Sequence, residues 1–238
     1  MWLIIIGCEG TGKTTLARGI VNWLTETMGD GVVMLHDHFL PSIGEGAIDR
    51  YTAEEEEKAF FDLPPFALEK YMRYMIHYHL GHHFYMENDH LLVNWYFGDA
   101  VYAPLYFGYG QPDAYADRVR LARHYDSEGM ATAPDTVLVH LTASPEAIRE
   151  RLRVSPGGHG RFDERDVETV LDRFNAEFAS SLMRRKLALD TTSATPEETL
   201  QSFLNQMAGF WSSADRLRML SRGVVQPRPA DLAASMGD

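Results

Sequence analysis

One stretch near the start of the chain has residue types and spacing that suit a specific chemistry, the binding of a phosphate chain. The residues from 7 to 14 read GCEGTGKT, which matches the pattern G-x-x-x-x-G-K-[ST] in full. Glycines let backbone N–H groups approach an anion, a lysine supplies positive charge, and a hydroxyl can join the shell of Mg²⁺. The match follows an apolar run and leads into a helical pattern, as such a loop requires. The sequence therefore predicts a phosphate-binding loop.

The members of this loop have different expected roles. Lys13 would lie against the β- and γ-phosphates of ATP, and Thr14 would offer its hydroxyl to Mg²⁺ as the metal-binding residue. The expected ATP-binding residues are Gly7, Glu9, Gly10, Thr11, Gly12, Lys13, Thr14 and Thr15. Such a loop does not specify a reaction, because GTPase switches, motor ATPases and small-molecule kinases all use one.

Short apolar runs alternate along the chain with longer helical patterns, and these elements must position the loop. This alternation predicts a five-stranded parallel sheet with helices on both faces, which is a three-layer α/β/α fold. Together with the loop, this is the architecture of P-loop NTPases. The expected strands cover residues 2–6, 32–36, 91–94, 136–141 and 187–190. Helical patterns cover 53–61, 65–86, 145–154 and 164–185, and Ser144 is the expected cap of the third.

Composition restricts the classes of partner. The 238-residue chain has a formal net charge of -12, which disfavours binding to a nucleic-acid polymer and favours a small-molecule substrate. A single cysteine, Cys8, and the lack of any apolar run of spanning length fit a cytoplasmic protein without a membrane segment. We expect one domain over residues 1–226, with a lid near 153–165, where glycines make the chain flexible, and a flexible tail over 227–238.

The sequence of the loop, GCEGTGKTT, resembles that of the thymidylate kinases and their nucleoside and nucleotide kinase relatives. The likeness continues at pattern level to about residue 210. In YMRYMIHYHL, the resemblance implies that Arg73 approaches the acceptor, and in WYFGDAVY it makes Tyr102 a candidate for the acceptor pocket. The helix after the fourth strand resembles the one bearing the family's lid arginines. Arg151, Arg153 and Arg161 are thus candidates for stabilising the transferred phosphoryl group. Such kinases are often dimeric, so a homodimer is among the partners considered.

Two departures from the thymidylate kinase pattern concern the acceptor side. The family's acid–arginine pair after the third strand is replaced by Asn94 and Trp95. The arginine after the second strand is also missing, and the sequence there is LHDHFLPS. This segment instead resembles that of uridine kinases, in which the aspartate takes the proton of the acceptor hydroxyl. Asp37, at the carboxyl end of a predicted strand, is therefore the candidate catalytic base and an acceptor-binding residue.

Several alternatives stay open from the residues alone. The leading interpretation is an ATP-dependent phosphotransferase acting on a small nucleoside or nucleotide-like acceptor, with ATP and Mg²⁺ as cofactors. A kinase of another small alcohol or modified-base metabolite is the first alternative, and a regulatory NTPase is the second. Support for Mg²⁺ could come from Glu9, Asp37 or Asp99. The histidines His77, His79, His82, His83 and His90 fit pocket lining or core filling better than a metal site.

Overall fold

The computed structural model describes residues 1–29, 32–37, 60–81, 89–154 and 162–223, with the backbone path alone for 32–37. The strands in these ranges are β1 (Trp2–Ile6), β2 (Val32–Asp37), β3 (Asp89–Val93), β4 (Val137–Thr142) and β5 (Arg185–Asp190). They form a parallel sheet with the order β2-β3-β1-β4-β5. The strands on either side of β1 are thus β3 and β4, which brings the ends of three distant segments together.

The helices lie on both faces of this sheet. Their bounds are α1 (Lys13–Met28), α2 (Pro65–Leu80), α3 (Trp95–Tyr102), α4 (Arg118–Thr132), α5 (Pro145–Val154), α6 (Val167–Ser180), α7 (Pro196–Met207) and α8 (Ser213–Ser221). A π-helical turn, Ala103–Phe107, continues α3, and a short 3₁₀ turn, Glu164–Asp166, precedes α6. Helix α1 begins after Gly12 and ends at Gly29, and both glycines have a positive φ that other residues rarely adopt.

Two hydrophobic clusters hold the layers together. Alternate residues of β1 point to opposite faces, so Leu3 and Ile5 pack with α1, α7 and α8, whereas Ile4 and Ile6 pack with α2 through α6. Because both faces are covered, β1 is an uninterrupted apolar run rather than an alternating one. This arrangement confirms the predicted three-layer α/β class with a parallel sheet.

The predicted elements differ from the observed ones mainly at their ends. β3 begins two residues earlier than expected and ends at Val93, so Asn94 lies just beyond the strand. The helical pattern over 164–185 gives a helix only from Val167 to Ser180, because the segment from Arg185 belongs to β5. Helices α3, α4, α7 and α8 lie outside the four helical patterns given above. The expected helix over 53–61 lies mostly outside the described residues, as does the core of the expected lid.

Candidate functional site

The segment between β1 and α1 is a tight loop that contains three glycines. Gly7, Gly10 and Gly12 have φ values of 153°, 75° and 88°. A Cβ atom at Gly7 would lie 2.4 Å from the carbonyl oxygen of Leu141 on β4, which leaves no space for a side chain. The loop leads directly into the N-terminus of α1, where backbone N–H groups are free to bind an anion. This geometry fits the predicted phosphate-binding loop.

Neighbouring elements fix the loop in this conformation. The N–H of Gly7 donates to Asn94 Oδ1 at 3.2 Å, and the hydroxyl of Thr11 donates to Cys8 O at 2.7 Å. From the end of β5, the hydroxyl of Thr191 donates to Thr11 O at 3.1 Å. The loop is therefore anchored to β3, to itself and to β5 without any ligand.

Asn94 contacts the Gly7 N–H from a backbone conformation that is unusual for a residue other than glycine. Asn94 and Trp95 both have a positive φ, 58° and 44°, although neither is glycine. Such conformations cost on the order of 1–3 kcal/mol each and cluster at functional sites. Asn94 is 3% exposed, and its amide occupies the position at which the resembling kinases carry an acid. The side-chain oxygen of Asn94 accepts the hydrogen bond from the loop backbone at Gly7.

The lysine and hydroxyl groups of the loop lie at the start of α1. Lys13 is largely buried, and its Nζ donates to Cys8 O at 2.8 Å, across the loop. Thr14 and Thr15 are exposed on the first turn of α1. Burial raises the pKa of the Cys8 thiol, so Cys8 contributes a neutral side chain behind the loop. The ammonium group of Lys13, the hydroxyls of Thr14 and Thr15 and the N–H groups at the start of α1 thus lie around one loop. This set of groups fits a phosphate chain with its magnesium ion.

A pocket of about 260 Å³ opens beside the loop, between α1, α5 and the β5–α7 connection. Its lining residues are Gly10, Thr11, Gly12, Thr15, Leu16, Arg151, Thr191, Ala194, Pro196 and Thr199. Apolar atoms and hydroxyls both contribute to this lining. The pocket is continuous with the loop, so a molecule lying in it can reach the backbone of Gly10 to Gly12.

Arg151 connects the loop to the far wall of this pocket. One guanidinium nitrogen donates to Gly10 O at 3.0 Å and to Thr191 Oγ1 at 3.2 Å, and the other contacts the carbonyl of Thr191. Arg153 faces outward, since its side chain is 70% exposed and lies 4.0 Å from Glu164. Arg161 lies outside the described residues. The structure brings Arg151 to the loop, and the catalytic roles of all three arginines stay predictions.

On the other side of the loop, α3 supplies Tyr102. Its hydroxyl donates to the carboxylate of Glu9, and the side chain is buried against Phe174. Burial raises the pKa of Tyr102, and the neighbouring Glu9 charge adds to that rise. Tyr102 is therefore a neutral hydrogen-bond donor that ties α3 to the loop, and its predicted contact with an acceptor stays a prediction.

Arg73 lies on α2 and is paired. Its Nε and one terminal nitrogen donate to the same oxygen of Glu69, at 2.8 and 2.6 Å. Arg118 approaches Glu69 at 3.3 Å and Asp99 at 2.6 Å. Burial raises the pKa of Asp99, while Arg118 opposes that rise. Asp99, one of the three carboxylates considered for Mg²⁺, is thus engaged with an arginine inside the protein.

Asp37 ends β2, and its backbone lies opposite Val93 in the register between β2 and β3. The strand end is thus next to Asn94, on the same edge of the sheet as the loop. Its side chain is outside the described part of the structure, so the proton-accepting role stays a prediction.

Three contributors to the site were not predicted from the sequence. Asn94 anchors the loop, Thr191 joins the loop to β5, and Glu69 neutralises Arg73. The four-residue spacing of Glu69 and Arg73 is a local signal for a helical ion pair. No local signal exists for Thr191, whose partner Thr11 is 180 residues away.

Neither a metal cluster nor a membrane-spanning helix is found in the described ranges. No group of three or more His, Cys, Asp or Glu side chains there could hold a metal ion. Of the histidines considered, His79 Nδ1 lies 2.9 Å from Met75 O, and His82 and His83 are outside those ranges. None of the helices described is long and apolar enough to cross a membrane.

The fold is that of P-loop kinases of nucleosides and nucleotides. A deoxyadenosine kinase from M. mycoides solved with bound dATP matches with a TM-score of 0.56 and 13% identity, over 87% of this chain and 99% of that one. The same kinase with bound dCTP matches with a TM-score of 0.50 and 14% identity, over 88% and 100%. A thymidylate kinase from Ehrlichia chaffeensis gives a TM-score of 0.49 and 16% identity, over 89% and 98%. No model of a known protein family and no curated sequence matches the chain.

Proposed function

We propose that this protein is an ATP-dependent phosphotransferase that moves the γ-phosphoryl group of Mg-ATP to a small nucleoside or nucleotide-like acceptor. The observation that carries the proposal is the anchored loop from Gly7 to Gly12, which opens onto the pocket beside Arg151 and contacts Tyr102 of α3 through Glu9. A phosphate donor and an acceptor can therefore meet at one loop. The likeness in fold to a deoxyadenosine kinase supports this proposal.

The donor nucleotide would occupy the loop and the adjoining pocket. Backbone N–H groups of the loop and Lys13 would bind its phosphates, and the pocket between Arg151 and Pro196 would take its base. Thr14 is the residue placed to hold Mg²⁺ through its hydroxyl, and the ion would neutralise charge that develops on the phosphates.

The acceptor would lie on the α3 side of the loop. Here Asp37 would orient the attacking hydroxyl, which suffices because phosphoryl transfer depends mainly on positioning and charge stabilisation. Tyr102 and Glu9 form the wall between acceptor and loop. Arg153 and Arg161, next to the expected lid, would stabilise charge on the transferred group when the lid closes. A homodimer stays a prediction for this kinase.

An acceptor panel tests the proposal. Purified protein with Mg-ATP is expected to release ADP only when a nucleoside, nucleoside monophosphate or small alcohol is added, with the product identified by mass spectrometry. ADP release at the same rate without any acceptor would instead indicate a regulatory NTPase. Transfer confined to a non-nucleoside alcohol would show the alternative kinase activity.

A pair of lysine variants tests the loop itself. Lys13→Ala is expected to abolish transfer while the thermal melt is retained, because the lysine would bind the phosphates. Lys186→Ala is the matched control, since Lys186 also donates to backbone carbonyls, at 2.7 Å from Phe178 O and Ser181 O, away from the loop. Substantial transfer by the Lys13 variant would remove this loop from the mechanism.

A further inference from the structure

Thr191 lies where the end of β5 meets the predicted phosphate-binding loop. Its side chain is 4% exposed, and its hydroxyl oxygen lies 3.1 Å from Thr11 O in the loop and 3.2 Å from Thr142 O at the end of β4. A hydroxyl has one proton to donate, so it binds one of these carbonyls at a time. The Thr142 carbonyl already accepts the backbone N–H of Thr191 at 2.8 Å. The hydroxyl proton is therefore available for the shorter contact, with Thr11.

Arg151 donates to the same hydroxyl from α5. One terminal guanidinium nitrogen lies 3.2 Å from Thr191 Oγ1 and 3.0 Å from Gly10 O, and the other contacts the carbonyls of Thr191 and Thr192. Each terminal nitrogen carries two N–H groups, so these four contacts engage all of them. A contact between these nitrogens and a transferred phosphoryl group would have to break one of these bonds. Arg151 is therefore placed to hold the protein backbone.

Two successive carbonyls of the loop are thus bound by neighbouring side chains. Arg151 binds the carbonyl of Gly10, and Thr191 binds that of Thr11. No cis peptide bond occurs in the described ranges, and in a trans peptide the carbonyl and the following N–H point in opposite directions. Because the Thr11 carbonyl points toward Thr191, the N–H of Gly12 points away from it. Gly12 directly precedes α1, where backbone N–H groups are free to bind an anion.

The positive charge of Arg151 reaches this peptide through the Thr191 hydroxyl. The hydrogen bonds run from the Arg151 guanidinium to Thr191 Oγ1, and from there to the carbonyl of Thr11. A hydroxyl that accepts from a cation becomes a stronger donor, because hydrogen bonds in a chain polarise one another. Thr191 and Thr11 are both buried, so water screens this effect little. The N–H at the far end of the Thr11 peptide gains positive character as a result.

We propose that Thr191 is a positioning residue for the phosphates of the donor, because it fixes the peptide between Thr11 and Gly12 with the N–H of Gly12 facing them. Arg151 strengthens this N–H through Thr191 and does not itself contact the transferred phosphoryl group. This inference rests on the proposed function, since it assigns the loop to a phosphate chain. It concerns binding alone, so the effect falls on nucleotide affinity rather than on the chemical step.

Inorganic tripolyphosphate separates the loop from the rest of the site, because it carries a chain of three phosphates without base or ribose. Titration calorimetry measures its dissociation constant and that of ATP. Thr191→Val retains the shape of the side chain without the hydroxyl, so we expect about tenfold weaker binding of both ligands. Thr191→Ser retains the hydroxyl and is expected to bind both within about threefold of wild type. In turnover assays, the valine variant should show a higher KM for ATP at an unchanged kcat.

Thr136→Val is the matched control. Thr136 is a buried threonine at the other end of β4, and its hydroxyl also donates to a backbone carbonyl, at 2.7 Å from Ala133 O. This variant is expected to bind tripolyphosphate like wild type. Wild-type affinity of a folded Thr191→Val variant for tripolyphosphate overturns the inference and leaves the proposed phosphotransferase intact. A wild-type protein that binds neither tripolyphosphate nor ATP removes the proposed function and this inference with it.

A double-mutant cycle tests the route through the hydroxyl. Arg151→Gln is expected to weaken tripolyphosphate binding about fivefold when Thr191 is present. In the Thr191→Val background the loss is expected to be smaller, because the hydroxyl that transmits the charge is gone. Equal losses in both backgrounds show that Arg151 acts independently of Thr191 and overturn this route. If Thr191→Val does not fold, Arg151→Gln decides alone, and an unchanged affinity for tripolyphosphate overturns the inference.

Discussion

The backbone N–H of Gly7 donates a hydrogen bond to the side-chain oxygen of Asn94 at 3.2 Å, joining the first residue of the predicted phosphate-binding loop to the end of β3. Both residues are buried, so this bond replaces a contact with water. The amide can act as an acceptor here as well as a carboxylate could. The replacement of an acid by Asn94 therefore preserves the anchor of the loop while removing a negative charge beside the phosphate site.

Substitutions at Asn94 separate this anchor from backbone strain. Asn94→Ala is expected to lower the free energy of unfolding by about 1–3 kcal/mol, because the buried N–H of Gly7 loses its acceptor. Asn94→Asp retains an acceptor and is expected to be closer to wild type in urea denaturation. Asn94→Gly relieves the positive φ but not the lost bond, so it should fall between wild type and alanine. An alanine variant as stable as wild type would show that the bond contributes nothing.

Gly7 and Gly12 of the loop are expected to respond differently to the addition of a side chain. Gly7→Ala places a Cβ against Leu141 O, and we expect it to distort the loop and abolish nucleotide binding in titration calorimetry. Gly12→Ala meets nothing within 4 Å and suffers only from its φ of 88°, so a loss of about 1 kcal/mol in stability is expected. Gly209→Ala, also without a neighbour within 4 Å, is the control for a helix-end glycine outside the site. Normal nucleotide affinity of the Gly7 variant would contradict this account.

We expect Arg151 to contribute to the binding of ATP, the phosphoryl donor. Its guanidinium binds the carbonyls of Gly10 and Thr191 and lines the pocket, so Arg151→Ala should raise the KM for ATP by about tenfold with little change in kcat. The exposed Arg153 provides the matched control, and Arg153→Ala is expected to leave the KM for ATP unchanged. A fall in kcat at constant KM for the Arg151 variant would instead place this arginine at the transferred phosphoryl group.

We expect the buried His140 to make the free energy of unfolding depend on pH. It is buried on β4, and burial together with the nearby charge of Lys13 lowers its pKa to about 4 from 6.5. The unfolded chain therefore binds a proton that the folded chain does not between these pH values, and stability falls as the pH falls through this window. The loss reaches on the order of 3 kcal/mol by pH 4. Urea denaturation at pH 7 and pH 4.5 measures it.

His140→Leu supplies the control for this pH effect. The variant removes the titrating group but retains every carboxylate, so its stability should fall less than that of wild type over the same pH range. Equal losses in both proteins would assign the pH dependence to other groups.

The strand–loop–helix unit around Gly7 to Thr14 could be predicted from sequence because every requirement is local. An apolar strand, glycines at defined spacing, a lysine and a helix start are all adjacent in the chain. The strands were predicted for the same reason, with errors at their ends where β3 and β5 extend beyond the apolar runs. Asn94, by contrast, could be identified as a departure from a pattern but not as an anchor.

The sequence by itself determined the strand–loop–helix unit, the α/β class and the chemistry available in Lys13 and Thr14, since these depend on neighbours in the chain. The tertiary structure decided which distant groups meet. The strand order β2-β3-β1-β4-β5 places β3 and β4 beside β1 and β5 beyond β4, and this order brings Asn94 and Thr191 to the loop. Packing of α2, α3 and α4 likewise pairs Arg118 with Asp99 and Glu69. Such contacts depend on how buried surfaces fit together, which no local pattern specifies.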